Sequence, residues 1–586
     1  MKNPLQKILA SKYGWLLLLI ILFGINFLAS AFHSRLDLTR EKRYTLSNPT
    51  KEVLNGLEDD LQIDVFLKGD FPSGFRKLAN STDEFLQLLK DRNGAKIHYE
   101  FISPQDEIPG ANGVKYQDTL VAMGASPINL TVQVKAGQEQ KFVFPVALVK
   151  YKGEQRLINL YSGGSRIISQ VEINNAEALL EYNFLKIIDE LIHPERPVVG
   201  YATGNGEPDL KGFDTYDLQQ IVRQRYDFYT FNLTAQKIIP DQFNVFIIVK
   251  PSLQFTEEEK LKIDQYIMRG GHVLFFIDRL YAENDSLKFK PQTVAYDRDL
   301  NLTDILFRYG VRINPSLIMD LQCDFLSLVV GGTQENPQKE FLPWNYYPVF
   351  QSKNDHIINK NIGLVTGKFV NSLDTIQENN VRKTILLSSS PNSRIISTPA
   401  LISLNENKIA PQDEKFRADN IPAAVLLEGK FTSFYKNRVG KITMDSLNKE
   451  GTPFKEESVN NAKIIVVGDG DMVLNEIIVN EGQSPMPLPM GWNRNAYQEY
   501  AEKTENARFF IPFANRNFLM NCLEYFTNKP GIIETGNKEI VLRLLNTEKV
   551  KKQKTTWQFI NIALPVLLVI FFGFVYQQTR KRKYAA

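Results

Sequence analysis

Apolar residues recur along this chain with two different periods, and the switches between them mark out its elements. The run LQIDVFLKG sets Ile63, Val65 and Leu67 on one face at period two, which predicts a half-buried strand. Phe75, Leu78, Ala79, Phe85, Leu86 and Leu89 then recur at helical spacing between Ser73 and Arg92, and KIHYEF returns to period two with Ile97, Tyr99 and Phe101. That order is a β-α-β unit. Residues from about Ile128 to Leu160 read as a β-meander, with Lys152-Gly153 as a tight hairpin turn. Ala176, Leu180, Phe184, Ile187 and Leu191 share one helical face between Ile173 and Ile192, and Pro194 and Pro197 end it.

Past Pro197 the strands become continuous apolar runs. PVVGYATG predicts a buried strand closed by a glycine turn, with a helix from about Tyr216 to Arg225. NVFIIVK reads as a central strand, Thr256 and Glu259 as a T-x-x-E capping box, and Leu261, Ile263 and Ile267 as a helix leading through Gly270-Gly271 to HVLFFID. Such alternation predicts a parallel, doubly wound sheet. KTILLSSS, AVLLEG and AKIIVVGDG add buried strands, whereas the polar stretches around Asn405–Asp419 and Asn437–Asn461 read as surface loops or insertions. A helix around Asn515–Thr527, a short strand KEIVLRLL and a basic VKKQK connector follow.

Both ends carry membrane-type patterns. Tyr13 to Phe32 is free of charge and, at about 1.5 Å per residue, crosses a hydrocarbon core of about 30 Å. Phe559 to Tyr576 is a second uncharged stretch, with Trp557 and Tyr576 at its edges. Lys2, Lys7 and Lys12 precede the first span and Arg580, Lys581, Arg582 and Lys583 follow the second, so the positive-inside rule puts both tails in the cytoplasm and the middle outside. Ala29-Ser30-Ala31 has the form of a signal-peptide cleavage site, so a cleaved leader is the competing reading of the first span. The domain organisation expected is a tail and anchor over 1–34 (helix 13–32), an α/β domain over 35–193, a larger doubly wound domain over 194–530, a connector over 531–556, and an anchor with basic tail over 557–586 (helix 557–577).

Composition narrows the function. A chain of 586 residues is too long for a single core. Its 69 Lys and Arg against 66 Asp and Glu form no basic stripe in the central region, which argues against nucleic acid as a partner. Cys323 and Cys522 allow one disulfide at most and sit in no CxxC pair, and His33, His98, His193, His272 and His356 are scattered without metal-ligand spacing. The Walker motif that would bind ATP is absent; Gly367-Lys368 and Gly429-Lys430 are each followed by Phe and read as loops. No cofactor and no catalytic residue is indicated.

Two short segments remain as ligand candidates. Gly204, Asn205, Gly206 and Glu207 follow the first strand of the doubly wound domain, where such folds place ligand loops, although a lone GxG is a weak signal and a tight turn between strand and loop is the plainer reading. Asp469 and Asp471, in VVGDGD, offer carboxylates to a hard cation or simply form a turn.

Taken together, DLTREKRYTLSNPTKEVL, NGEPDL, FTEEEKLKIDQYIMRGGHVLFFID, NLTDILFRYGVRIN, AVLLEGKFTSFYKNR, IIVVGDGD, NFLMNCLEYF and the long C-terminal block resemble the GldG family, the gliding-associated ABC transporter substrate-binding-like components of Bacteroidetes. The resemblance implies partnership with a GldF-like permease and a GldA-like ATPase. It also implies a central domain similar to class I glutamine amidotransferases and to an intraflagellar-transport subunit, although the catalytic cysteine elbow is missing here. The function expected is an auxiliary subunit of the inner membrane, two-pass, with its bulk in the periplasm. The alternatives are an envelope scaffold without a transported substrate, or a periplasmic enzyme on a degenerate amidotransferase-like fold.

Overall fold

The computed structural model describes residues 19, 22–24 and 45–584, apart from 70, 111–112, 124, 126, 135–136, 162–169, 284–285, 288–289, 291, 334–336, 352–355, 360–361, 378–379, 405–412, 480–481, 483, 495–512, 528–529 and 537–546. It divides into two compact units, residues 1–538 and residues 539–586. The expected first membrane span lies outside the described residues, except that Leu19, Leu22, Phe23 and Gly24 are helical and exposed. The expected strand KEIVLRLL lies outside them as well.

The smaller sheet of the first unit has the order Ile97–Phe101, Leu61–Val65, Val146–Tyr151, Glu154–Asn159. Its first two strands pair in parallel and are joined through the helix Ser73–Arg92, whose apolar stripe buries Phe75, Leu78, Phe85, Leu86 and Leu89. The last two strands form a hairpin turned by Lys152 (φ 47°) and Gly153 (φ 84°), the paired left-handed conformations that match strand twist. Ile128–Val134 and Gly137–Val143 make a separate two-stranded ribbon and are not part of this sheet.

The helix expected over 173–192 is two helices, Gln170–Ala178 and Leu180–Ile192. The second serves two cores at once, which a single helical stripe cannot reveal. Leu180, Phe184, Ile187, Ile188 and Leu191 pack under the smaller sheet, while Tyr182 and Leu185 enter the core of the larger one.

The larger sheet has the order Val381–Ser388, Pro422–Gly429, Ala462–Val467, His272–Phe276, Val245–Val249, Val198–Thr203, Asp227–Asn232. The last five are parallel, as the alternating pattern predicts. Val245–Val249 is buried along its whole length because both faces of the sheet are covered. The expectation of an all-parallel sheet fails for KTILLSSS and AVLLEG, which pair antiparallel. The chain between those two passes through short strands and, with no crossover helix among the described residues, returns in the opposite sense.

Much of the region between His272–Phe276 and Pro422–Gly429 is a β-rich body that local patterning did not disclose. Three three-stranded sheets run through residues 280–403, around buried Trp344, Tyr346, Tyr347 and Phe369. The hairpin of Cys323–Gly332 with Pro337–Gln351 is exposed toward its tip, so its residues lack the alternation that betrays a half-buried strand.

The second unit is the helix Thr547–Tyr584. Within it the 27-residue segment Thr556–Arg582 contains a strongly apolar stretch, none of it buried. That length, about 40 Å at 1.5 Å per residue, exceeds a bilayer core and makes the segment a candidate membrane span.

Candidate functional site

Doubly wound sheets present their ligand loops at the carboxyl ends of the parallel strands, and here three neighbouring ends carry charged residues. Lys250 follows Val245–Val249, Asp278 lies just beyond His272–Phe276, and Asp469 and Asp471 follow Ala462–Val467. The Lys250 Nζ is 2.7 Å from Asp471, 3.1 Å from Glu283 and 3.5 Å from Asp278. Lys250 takes up a left-handed conformation, φ 46°, to reach inward, and a Cβ on Gly470 would stand 2.6 Å from its own. Only glycine admits the lysine there.

The backbone completes the network. Gly470 N–H donates to Asp278 at 2.5 Å, and the N–H groups of Lys368 and Asp471 donate to the two oxygens of Asp469, each at 2.8 Å. Lys368 pairs with Glu476, and Arg298 with Glu283 at 2.5 Å. The loop at Gly367-Lys368, expected to be ordinary, therefore belongs to this cluster.

Burial raises the Asp278 carboxyl to about 7 against the pull of Lys250, and burial together with Asp278 raises Asp469 well above the usual range. Asp471 behaves in the opposite way: burial works against its charge, but Lys250 and Lys368 outweigh it and hold the group low. One oxygen each from Asp278, Asp469 and Asp471 lies within 4.8 Å of the others, close enough to share a cation. The ammonium of Lys250 already supplies that charge, so Asp469 and Asp471, weak ligand candidates in the sequence, belong to an internal network centred on a lysine.

In chain order the five parallel strands run 2-1-3-4-5 across the sheet, which sets the topological switch point between Val198–Thr203 and Val245–Val249. Gly204, Asn205, Gly206 and Glu207 form the loop at that point. Gly204 (φ 119°) and Gly206 (φ 76°) are left-handed, and the Asn205 carbonyl accepts from the N–H groups of Ser252 and Leu253, both at 2.9 Å. Asn205 N–H donates to Glu207 Oε2 at 2.8 Å, and its side-chain Nδ2 donates to Glu259 Oε2 at 3.0 Å.

Glu259 is also the third residue of the expected capping box. Thr256 N–H donates to its Oε2 at 2.8 Å, and Glu259 N–H donates to Thr256 Oγ1 at 3.3 Å. One carboxylate thus caps the helix Glu257–Met268 and anchors the candidate loop. The two candidate segments recognised in the sequence lie on the same sheet edge. Lys250 and Asp278, not recognised there, complete it, with Glu259 and Lys368, read there only as a helix cap and an ordinary loop; for Lys250 and Asp278 their place just past a buried strand was the available signal.

Other reactive groups are muted. Cys323 and Cys522 are both free; burial pushes the Cys323 thiol up to about 12 and Cys522 well above its usual value. Burial lowers His272 and His356 to about 4. A cavity of about 30 Å³ beside Ile277, Arg279, Leu302 and Leu306 has room for about one water.

Residues 196–522, more than half of the chain, match the family described as an ABC-type uncharacterized transport system. The chain belongs to that family. Membership gives this ABC transport auxiliary chain a transport-associated, accessory role, and the matched region contains the whole larger sheet with both candidate segments. A domain family of unknown function matches residues 40–150. An uncharacterized protein of Borreliella burgdorferi is 22% identical over 603 residues, covering 100% of both chains. Among solved structures, the mmIFT52 N-terminal domain is 12% identical and covers 57% of this chain and 98% of its own, with a TM-score of 0.28. A ThuA-like protein from Parabacteroides merdae is 12% identical, covers 41% of this chain and 75% of its own, and has a TM-score of 0.21.

Proposed function

We propose that this chain is a membrane-anchored auxiliary subunit of a gliding-motility-type ABC transporter, working with a separate permease and a separate ATPase and carrying no catalytic centre of its own. The family match over residues 196–522 carries the reading. The unburied apolar helix Thr556–Arg582 supports an anchor at the C-terminal end, and the charge-free stretch Tyr13–Phe32 supports a second. Basic residues outside both stretches favour cytoplasmic tails and an extracytoplasmic body. The absent Walker motif assigns ATP hydrolysis to a partner, and the raised thiols of Cys323 and Cys522 favour a binding role over nucleophilic chemistry.

The test is a detergent pull-down of the tagged full chain from its native membrane, scored for co-purifying permease and ATPase subunits and for ATPase activity of the assembly. Recovery of both is expected. A chain that purifies alone, in several detergents, would overturn the proposal in favour of an envelope scaffold.

A further inference from the structure

The helix Thr547–Tyr584 runs unbroken through Pro565, so distances along it follow from residue number. Two pairs of markers stand on it, one nested inside the other. Trp557 and Tyr576 are 19 residues apart, about 29 Å, close to the roughly 30 Å of a hydrocarbon core. Outside them come charges. Lys554 and Arg580 enclose 25 residues without an acid or a base and are separated by about 39 Å, against about 40–45 Å for a bilayer measured through its headgroups. The helix therefore sets its aromatic rings at the edges of an apolar core and its cations at the level of lipid phosphates.

The amino end is the informative one. Lys549, Lys551, Lys552 and Lys554 occupy less than two turns, beside a single acid, Glu548. On the topology proposed above, a span that needed cations only for orientation would carry them at its cytoplasmic end, where Arg580, Lys581, Arg582 and Lys583 already stand. Four lysines at the opposite end work against that bias and answer to something else.

Their spacing says what. At about 100° per residue the four Cα positions are spread round the whole circumference of the helix. A protein partner would meet cations gathered on one side, whereas a collar faces every direction, as the lipid round a single helix does. The apolar stretch has the same all-round character: Phe559, Ile562, Val566, Val569, Phe571 and Phe572 are all exposed. Lys554, the collar residue nearest the apolar stretch, is exposed too.

We propose that this lysine collar binds the phosphate groups of anionic phospholipids, so that the subunit gathers acidic lipid around its C-terminal helix. The inference rests on the membrane-anchor reading. A zwitterionic headgroup cancels its phosphate charge with its own ammonium, and an anionic one leaves that charge to the lysines. The attraction decays within about 8 Å at physiological salt, so it acts only where the cations are held at phosphate level, as they are here.

The experiment uses the full chain carrying W15F, reconstituted into vesicles of phosphatidylcholine and phosphatidylglycerol, one or the other brominated high on its acyl chains, with tryptophan fluorescence read across mixtures of the two. Trp344 and Trp492 are buried, at 0% and 4% exposure, so quenching reports on Trp557, three residues from Lys554. Trp557 should prefer phosphatidylglycerol by at least about threefold, and K549Q/K551Q/K552Q/K554Q should bring the ratio to about one. Equal quenching by the two lipids would overturn the proposal and keep the anchor, leaving the lysines to an acidic protein partner. A preference unchanged in the quadruple variant would overturn it as well. Absence of quenching by either lipid would sink the anchor reading itself and the proposal with it.

Discussion

Lys186 Nζ lies 2.5 Å from Glu524 Oε1, and the same oxygen accepts from Arg225 at 2.5 Å. Lys186 stands on the helix Leu180–Ile192 beside the smaller sheet, Arg225 follows the helix Tyr216–Arg223, and Glu524 stands on Asn515–Thr527. A single buried carboxylate therefore joins the two α/β layers. Burial and Arg225 lower Lys186, while Glu524 is held low because Lys186 and Arg225 overcome its burial. E524A strands a buried lysine and is expected to destabilise the chain by about 3–5 kcal/mol in chemical denaturation. The double variant K186M/E524L removes the buried pair and leaves Arg225, whose side chain is one-third exposed, to water, so it should recover most of that loss. Equal instability of the single and double variants would show that packing, not charge, holds the junction.

Lys250 is the internal cation of the aspartate cluster. K250M keeps most of its volume and leaves Asp278, Asp471 and Glu283 facing one another. A loss of about 3 kcal/mol is expected at pH 8. The loss should shrink toward pH 6, because protons can then take the place of the lysine charge on carboxyls already raised by burial. Denaturant titrations at the two pH values check this, and a loss independent of pH would contradict it.

His272 packs against Phe526, ring centroids 5.4 Å apart, and its Nδ1 accepts from Lys463 N–H at 3.2 Å. Burial and the Lys463 charge lower it from 6.5 to about 4, so between those values the unfolded chain holds the proton and the folded one does not. Its contribution is present above about pH 6.5 and is lost as pH falls toward 4, by up to about 3 kcal/mol. Asp278 runs the other way, since a raised carboxyl favours the folded state as pH falls below 7. Comparison with H272N cancels that opposing effect. Wild-type stability should fall relative to H272N between pH 7 and pH 4.5, and parallel pH profiles would refute the assignment.

Val569 is near the middle of the unburied helix Thr556–Arg582, and Leu19 is within the charge-free stretch Tyr13–Phe32. V569K and L19K should each cost about 2.5–3.5 kcal/mol of insertion free energy, read as the membrane-integrated fraction after alkaline extraction. Unchanged integration of L19K, with V569K impaired, would leave the C-terminal helix as the only anchor.

Where the physics is local, the chain could be read directly. Ser73–Arg92 is a helix over the span its stripe marks, Lys152-Gly153 is the left-handed turn of a hairpin, and Thr256 with Glu259 closes a capping box. Each depends on residues within a few positions of one another, so spacing suffices. The break at Leu179 and the antiparallel pair Val381–Ser388 with Pro422–Gly429 escaped, because each is set by what packs against the segment from far along the chain. Among the site residues, Asn205, Glu207, Asp469 and Asp471 stood out through neighbouring glycines, whereas Lys250 and Asp278 look like ordinary surface charges until the strands preceding them are laid side by side.

The sequence alone therefore determined the α/β character of the chain, its helix caps and turns, and an apolar helix long enough to span a membrane, since periodicity, left-handed glycines and uninterrupted apolarity act over short stretches. Tertiary structure alone decided that Lys250, Asp278 and Asp471 meet, that Glu259 both caps its helix and holds Asn205, and that Glu524 ties the two layers together. Charges separated by tens or hundreds of residues become partners only when parallel strands bring their ends to one edge and burial removes the water that would otherwise screen them.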